Sequence, residues 1–292
     1  MACQMLNGKE KVAILIDSGM DVPIELQKKY GMYQVSLSIH YTDGDYRDGV
    51  DITAQEVYDR FSEEVPKTSL PSMEMVTDTF SAIAADGYEK VIGITISAGL
   101  SGTNQVVNLV AKEFPQLETR VIDTKNIGIG AGFTAMLVGE LLEKGYSFEE
   151  TVAAAQDNVP HTKVFFCVDT LEYLRKGGRI GLVAGTLGTV LNLKPVISCN
   201  EDGVYYTVSK ARGRVNSLKK ALEQAITFGR QYEMCNLAVA NGDAVAEAAD
   251  IVKEMQAAFP KAGKIWEGQI SPALVVHTGP GLIGIGIQRN IL

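Results

Sequence analysis

Apolar residues arrive along this chain in two textures. In the first half, short apolar runs alternate with stretches whose apolar residues recur at helical spacing. Lys11–Ile16 and Val91–Ile96 are continuous enough to be strands buried on both faces, and Val35–Tyr41 and Arg120–Asp123 read as further strands. Helix starts are marked between them. Asp21-Val22-Pro23 opens a short helix with Pro in its first turn. Thr53-Ala54-Gln55-Glu56 and Ser147-Phe148-Glu149-Glu150 are capping boxes. Ser72 caps a helix running to Ala85, Gly102–Glu113 is the next, and a long one runs from Ile129 to Glu143. Asp43-Gly44 marks a tight turn. This alternation predicts a three-layer α/β/α domain built on a parallel sheet.

From Lys163 the texture changes. Val164–Val168 and Pro195–Ser198 read as strands, and Asp202-Gly203 as the hairpin turn into Val204–Val208. Val215–Arg230 and Ala244–Ala258 are amphipathic helices flanking the strand Asn236–Ala240, and Leu282–Ile287 closes the chain as a strand. Hairpins beside helices predict a second, two-layer α/β domain with a mixed sheet and helices on one side. The boundary is placed near residue 160, giving a Rossmann-like domain over 1–160 and a mixed-sheet domain over 161–292. No internal repeat or low-complexity segment interrupts either half.

Composition narrows the function classes. A chain of 292 residues with 46% hydrophobic and 21% charged residues has the makeup of a soluble globular protein with room for two cores. A net charge of −8 argues against nucleic acid and against steady residence on an anionic membrane. No stretch approaches the roughly 20 apolar residues of a membrane span. Met1–Glu10 lacks the basic start and apolar core of a signal peptide. Cys3, Cys167, Cys199 and Cys235 form no CxxC pair, and His40, His161 and His277 complete no zinc-type cluster, so no metal is expected. Cys167 and Cys199 lie in apolar runs as buried free thiols, which fits a reduced, cytoplasmic setting. Gly128–Phe133 has Phe where GxGxxG needs its last Gly, and neither a Walker A motif nor a GxSxG elbow is present. No organic cofactor is expected.

Candidate chemistry collects in three polar segments: Thr68-Ser69-Leu70-Pro71-Ser72, Ser97-Ala98-Gly99-Leu100-Ser101-Gly102-Thr103 and His277-Thr278-Gly279-Pro280-Gly281. The first two set hydroxyls just before a helix, where free backbone N–H groups form a receptor for an anionic head group. Thr68 and Ser101 are the chief candidates. As neutral donors they hold a carboxylate without burying an opposite charge, each bond being worth roughly 1.5–3 kcal/mol. Ser72 and Ser101 read equally as plain helix caps. His277 follows an apolar run and precedes a chain-reversing Thr-Gly-Pro-Gly, as a core histidine or a head-group donor. Asp17 and Ser18 lie beyond the carboxyl end of the first strand, where parallel-sheet ligands bind, or form a simple turn. Gly181–Leu193 carries no charge and includes Gly181, Gly185 and Gly188 beside Thr186 and Thr189. It admits close approach of an acyl chain, or tight packing. Arg175, Lys176 and Arg179 form one basic cluster and Lys210, Arg212 and Arg214 another, either solvated or facing an acidic partner or a phosphate.

Five strings in order carry a resemblance: Asp17-Ser18, the loop Thr68–Ser72, Leu100–Thr103, Leu174–Ile180 and His277–Gly281. On these residues the chain resembles the DegV family, whose best-understood members are fatty-acid-binding subunits of a bacterial fatty acid kinase system. The resemblance implies a buried tunnel between the two domains for a long-chain fatty acid such as palmitate. It implies that Thr68, Ser101 and His277 bind the carboxylate, with Ser69, Ser97, Gly102, Thr103, Asp17 and Ser18 as supporting positions. It further implies a carrier without catalysis of its own, which presents the carboxyl to a dihydroxyacetone-kinase-like fatty acid kinase and meets membranes transiently. Arg175, Arg179 and Arg212 are the candidates for partner or phosphate contact. The competing class is a hydrolase or an acyl or phosphoryl transferase with Ser101 as nucleophile, His277 as base and Asp17 as orienter. A regulatory module that senses lipid is the third.

Overall fold

The structure, a computed structural model, describes residues 10–186 and 192–292. Its first half runs β1 (Val12–Asp17), α1 (Ile24–Lys29), β2 (Tyr33–Val35), β3 (Ser38–Tyr41), β4 (Gly44–Arg47), α2 (Ala54–Arg60) and β5 (Lys67–Ser69). It continues through α3 (Met73–Ala85), β6 (Lys90–Thr95), α4 (Thr103–Ala111), β7 (Glu118–Asp123), α5 (Gly128–Glu143) and α6 (Phe148–Asn158). The second half runs β8 (Thr162–Cys167), α7 (Glu172–Lys176), β9 (Val196–Cys199), β10 (Tyr205–Ser209) and α8 (Arg214–Gly229). It ends with β11 (Cys235–Gly242), α9 (Val245–Ala258), β12 (Ile265–Gln269), α10 (Pro272–Thr278) and β13 (Leu282–Arg289).

Strands β2-β1-β6-β7 form a parallel sheet in that order, with Ile14 opposite Ile92 and Ile92 opposite Arg120. Every residue of β1 is buried because both faces are covered. Ala13, Leu15 and Val91 pack on one side with Val76, Phe80 and Ile83 of α3 and Val107 and Val110 of α4. Ile14, Ile16, Ile92 and Ile94 share a core with α5 on the other. The second sheet has the order β10-β9-β8-β13-β11-β12, antiparallel except for the parallel pair β11–β12. Its outer face packs on α8 and α9, and α5 covers its inner face. The fold is therefore a three-layer and a two-layer α/β unit, as expected, with α5 lying between the two sheets.

That position explains the failed glycine fingerprint. From Gly128 to Leu142 every residue of α5 except Glu140 is buried, so the helix is apolar all round. Its glycines are points of close approach: a Cβ at Gly132 would sit 2.4 Å from the Met20 carbonyl oxygen. The sheet facing it is trimmed to match. On β11 and β13, Leu237, Val239, Ile283, Ile285 and Ile287 point to the outer core, while Ala238, Ala240, Gly284 and Gly286 point toward α5. Ala238 pairs with Gly286 and Ala240 with Gly284, so the smallest side chains form one strip. Phe133 fills the space over Gly286, where a Cβ would stand 2.9 Å from its ring, whereas nothing lies closer than 3.7 Å to a Cβ at Gly284.

Several local expectations are corrected. Val35–Tyr41 is two strands in different sheets: β2 ends at Val35, and β3 begins a small antiparallel sheet of order β4-β3-β5. The break falls where side chains take the backbone donors, Ser36 N to Met75 Sδ and Leu37 N to Ser18 Oγ. Thr68 and Ser69 lie in a strand rather than a loop. Strand β12 and helix α10 were not anticipated. Gly181–Thr186 is a short 3-10 turn, while Gly188, Thr189 and Cys3 fall outside the described residues. Cys167, Cys199 and Cys235 are buried free thiols.

Because Gly132 meets rigid backbone, Gly132→Ala should cost about 1–3 kcal/mol, read as a lower urea midpoint at constant slope. Gly263→Ala, with nothing within 4 Å of the added methyl, should stay within about 0.5 kcal/mol.

Candidate ligand site between the two sheets

Helix α10 reaches back from the end of the chain and is fastened to the first half by buried acids. Ala273 N donates to Asp48 Oδ1 at 2.8 Å and Ser271 N to Asp21 Oδ1 at 2.9 Å. Ser18 Oγ donates to Asp48 Oδ2 at 2.6 Å and accepts from Leu37 N at 3.0 Å. The first turn of α10 thus has its orphan donors satisfied by carboxylates from elements more than two hundred residues away in sequence. The last turn carries His277, whose Nε2 lies 2.6 Å from Thr68 Oγ1 on β5. Beyond it, Gly279 and Gly281 adopt φ of 66° and 87°, reversing the chain into β13.

His277 Nδ1 is enclosed without a hydrogen-bond partner and faces Gly177, where a Cβ would stand 2.1 Å away. Burial, helped by the charge of Arg179, pushes the His277 pKa down to about 4, so the imidazole is neutral at pH 7. With its proton on Nε2, His277 donates to Thr68 and frees the Thr68 hydroxyl proton for an anion.

Thr68, Ser69, Ser101, Arg179 and His277 line one cleft whose walls include Leu37, Ile96 and Leu100. Ser101 lies two residues before α4, just outside its N-cap Gly102, accepting from Thr103 N at 3.3 Å and bonded to Thr103 Oγ1 at 2.9 Å, and it lines the cleft. Arg179 Nη1 donates to Gly177 O at 2.9 Å, holding the guanidinium at the rim. The cleft meets an apolar lobe through Ile127, Tyr205, Leu274 and Thr278, which line both. That lobe runs past Val164 and Phe166 to Ala240 and Gly284, the open part of the small-residue strip. The two spaces measure about 40 and 30 Å³, room for a few water molecules. Neither space admits a longer guest unless side chains such as Leu274 move.

The remaining sequence candidates are placed elsewhere. Ser97 is buried and donates to Gly203 O at 2.8 Å, tying the β9–β10 hairpin to the end of β6. Asp17 accepts from Gly19 N at 2.9 Å and Ile96 N at 2.8 Å, which commits both its oxygens to backbone. Ser18 belongs to the clamp on α10. Gly102 abuts Leu70, and Thr103 is buried in the first turn of α4. Arg175 and Arg212 are exposed away from the cleft, and Arg214 is drawn to Glu247. Sequence reading passed over Tyr205, Asp21 and Asp48. Asp21 had a signal, standing four residues after Asp17 on the same loop, and Asp48 another, just before Gly49 in the turn that closes β4.

Burial raises the carboxyls of Asp17 to about 7, Asp21 to about 8 and Asp48 to about 6, with backbone or Ser18 donors working against it. Protonated acids favour the fold, so this stability is full below the unfolded value of 3.8 and lost as pH rises through 6 to 8. His277 acts oppositely, its neutral form adding stability as pH rises from about 4 to 6.5. Above pH 6.5 only the acids remain, so the urea midpoint should fall toward pH 8, and Asp21→Asn should flatten the fall. A midpoint that rises over this window contradicts the assignment.

The DegV family model, described as an uncharacterised protein family, matches residues 11–290. A DegV domain-containing protein of Clostridium acetobutylicum is 40% identical over 281 residues, covering 96% of this chain and all of that one. A solved Thermus thermophilus structure, described as fatty acid binding of a DegV family protein, superposes with a TM-score of 0.90 at 30% identity, covering 96% of this chain and 99% of that one. A stearic acid-binding protein of Eubacterium ventriosum gives 0.87 at 30% identity, over 95% and 98% of the two chains. On a match that runs nearly end to end, the chain belongs to the DegV family.

Proposed function

We propose that this protein is a fatty acid carrier that holds a long acyl chain between its two sheets, with the carboxylate at Thr68, Ser101 and His277. The observation that carries this reading is the opening of one polar cleft, lined by hydroxyls, a neutral histidine and Arg179, onto an apolar lobe beside Gly284 and Ala240. The fatty acid binding of the Thermus thermophilus and Eubacterium ventriosum proteins supports it. In this account the 1–160 and 161–292 domains supply opposite walls.

Energetics divide the labour. A tail of about 14 methylenes at ~0.8 kcal/mol each contributes on the order of 11 kcal/mol before ordering costs. Each head-group bond adds roughly 1.5–3 kcal/mol. The tail therefore sets affinity, and the head group sets direction. The carboxyl so oriented lies beside the cleft rim, where a separate dihydroxyacetone-kinase-like kinase phosphorylates it and Arg179 faces the new phosphate. The carrier works in the cytoplasm and touches the membrane only to exchange cargo. Among the described residues no helix is long and apolar enough to cross a membrane, and no group of three metal-ligating side chains occurs.

A hydrolase built on Ser101, His277 and Asp17 finds little support. Ser101 bonds to Thr103, His277 to Thr68, and Asp17 to two backbone amides. Titration with palmitate tests the carrier. Ser101→Ala should weaken binding by about 13- to 160-fold, the loss of one bond to a charged group. Gly284→Leu, which fills the tail lobe, should weaken it by more. Palmitate affinity unchanged in Gly284→Leu, or no binding by the wild type, would overturn the reading.

A further inference from the structure

A second cleft, of about 470 Å³, lies beyond the carboxyl end of β1, between the loop that follows β1 and strand β12. It shares no lining residue with the head-group cleft, but Asp21, Ile129, Ala240 and Ile270 line both it and the apolar lobe. The lobe therefore leads to polar space at each end. The second cleft has the volume of an ordinary small-molecule site, whereas the lobe offers about 30 Å³. An acyl chain longer than the lobe finds its room past Asp21.

Two polar atoms at this junction are unmatched. Asp21 Oδ2 and Ser271 Oγ are shut from water and have no hydrogen-bond partner among the described residues. Asp21 Oδ2 turns toward the lobe: a Cβ at Gly128 would stand 2.9 Å from it and 3.3 Å from Leu274 Cδ1, and Gly128 and Leu274 both line the lobe. Asp21 Oδ1 already accepts from Ser271 N. Burial raises this carboxyl to about 8, so it is protonated at pH 7, and the proton falls on Oδ2, a donor with nothing to meet. The Ser271 hydroxyl stands close enough to Asp21 and Asp48 to favour their charged forms, but it reaches hydrogen-bond geometry with neither and makes no cap bond to α10. Buried polar groups are seldom left so.

We propose that this second cleft is the far mouth of the acyl site, and that Asp21 Oδ2 and Ser271 Oγ at its threshold bind a hydroxyl carried toward the methyl end of a long-chain fatty acid. The assignment deepens the carrier reading and rests on it. A hydroxyl suits both atoms at once, its oxygen accepting from Asp21 Oδ2 and its proton passing to Ser271 Oγ. A second carboxylate does not. Asp17, Asp21, Glu25 and Glu267 line the cleft and no Lys, Arg or His does, while Lys264 beside it is held by Trp266 and Glu25. A distal anion therefore meets like charge in the walls. The same charge sets the direction of loading, because a carboxylate finds Arg179 only at the opposite end.

Titration of the full chain with palmitate, 16-hydroxyhexadecanoate and hexadecanedioate tests the site. The hydroxy acid should bind at least as tightly as palmitate, and the diacid at least about tenfold more weakly. A tunnel closed at its far end would bury the hydroxyl unmatched and weaken the hydroxy acid by roughly 5- to 160-fold; hydroxy-acid binding weaker than that of palmitate would overturn the proposal. Ser271→Ala keeps the backbone bond to Asp21 and should cut the affinity ratio of hydroxy acid to palmitate by roughly 2- to 13-fold. An unchanged ratio in that variant, once its urea midpoint shows it folded, would overturn the proposal as well. Trp266, the one tryptophan of the chain, lines the cleft and reports on it directly. Bound 16-bromohexadecanoate should quench its fluorescence and bound 2-bromohexadecanoate should not; the reverse pattern, or no quenching by either, puts the far end of the chain elsewhere and defeats the assignment. Palmitate binding with a weakened hydroxy acid would sink this site alone, whereas failure to bind palmitate would sink the carrier reading and this site with it.

Discussion

One helix buried on every side governs this molecule. Helix α5 lies between two sheets, buried from Gly128 to Leu142 except at Glu140, and the facing side of each sheet closes its core against it. A helix in that position has no polar stripe to orient it, and its place is set by contact alone. Hence the glycines that bring it against Met20 and Tyr30, and hence the trimming of β11 and β13 to Ala and Gly on the side that meets it. Close packing tolerates few voids, so the seam between α5 and the second sheet is where an elongated apolar guest finds the least side chain to displace.

The polar end of the site follows from the same arrangement. Its groups come from β5, the loop before α4, the stretch after α7, and α10: Ser101 and Arg179 are held by neighbours two residues away in the chain, Thr68 and His277 by each other from opposite ends of it. The carboxyls of Asp48 and Asp21 fix the first turn of α10, and the length of one short helix carries that order to His277. A neutral imidazole and two hydroxyls then meet a guanidinium. Such a site suits an anion held mostly through hydrogen bonds.

Much of this was legible in the sequence, where local pattern and fold agree. The parallel strands Lys11–Ile16 and Val91–Ile96, both capping boxes and the Asp202-Gly203 hairpin each announce themselves through period, cap or turn chemistry. The hydroxyls of Thr68 and Ser101 stood out because Ser and Thr before a helix have a mechanism. Legibility fails where long-range contact overrides local preference. The break at Ser36-Leu37 depends on Ser18 and Met75, which no window around Val35–Tyr41 contains. Asp48 reads as an ordinary turn residue until α10 arrives from the far end of the chain. Asp17, singled out for its place after β1, serves backbone amides that its neighbourhood does not reveal. The strip formed by Ala238, Ala240, Gly284 and Gly286 emerges only when two distant strands pair.

The account stands or falls on where the acyl chain lies. A palmitate analogue bearing a diazirine at mid-chain, bound to the protein, irradiated and mapped by peptide mass spectrometry, measures that directly. The account predicts crosslinks on the seam, to residues such as Ile127, Tyr205, Phe166 and Leu274, competed away by unlabelled palmitate. Crosslinks confined to exposed apolar side chains such as Val215 or Val245, or labelling that excess palmitate does not suppress, would contradict it.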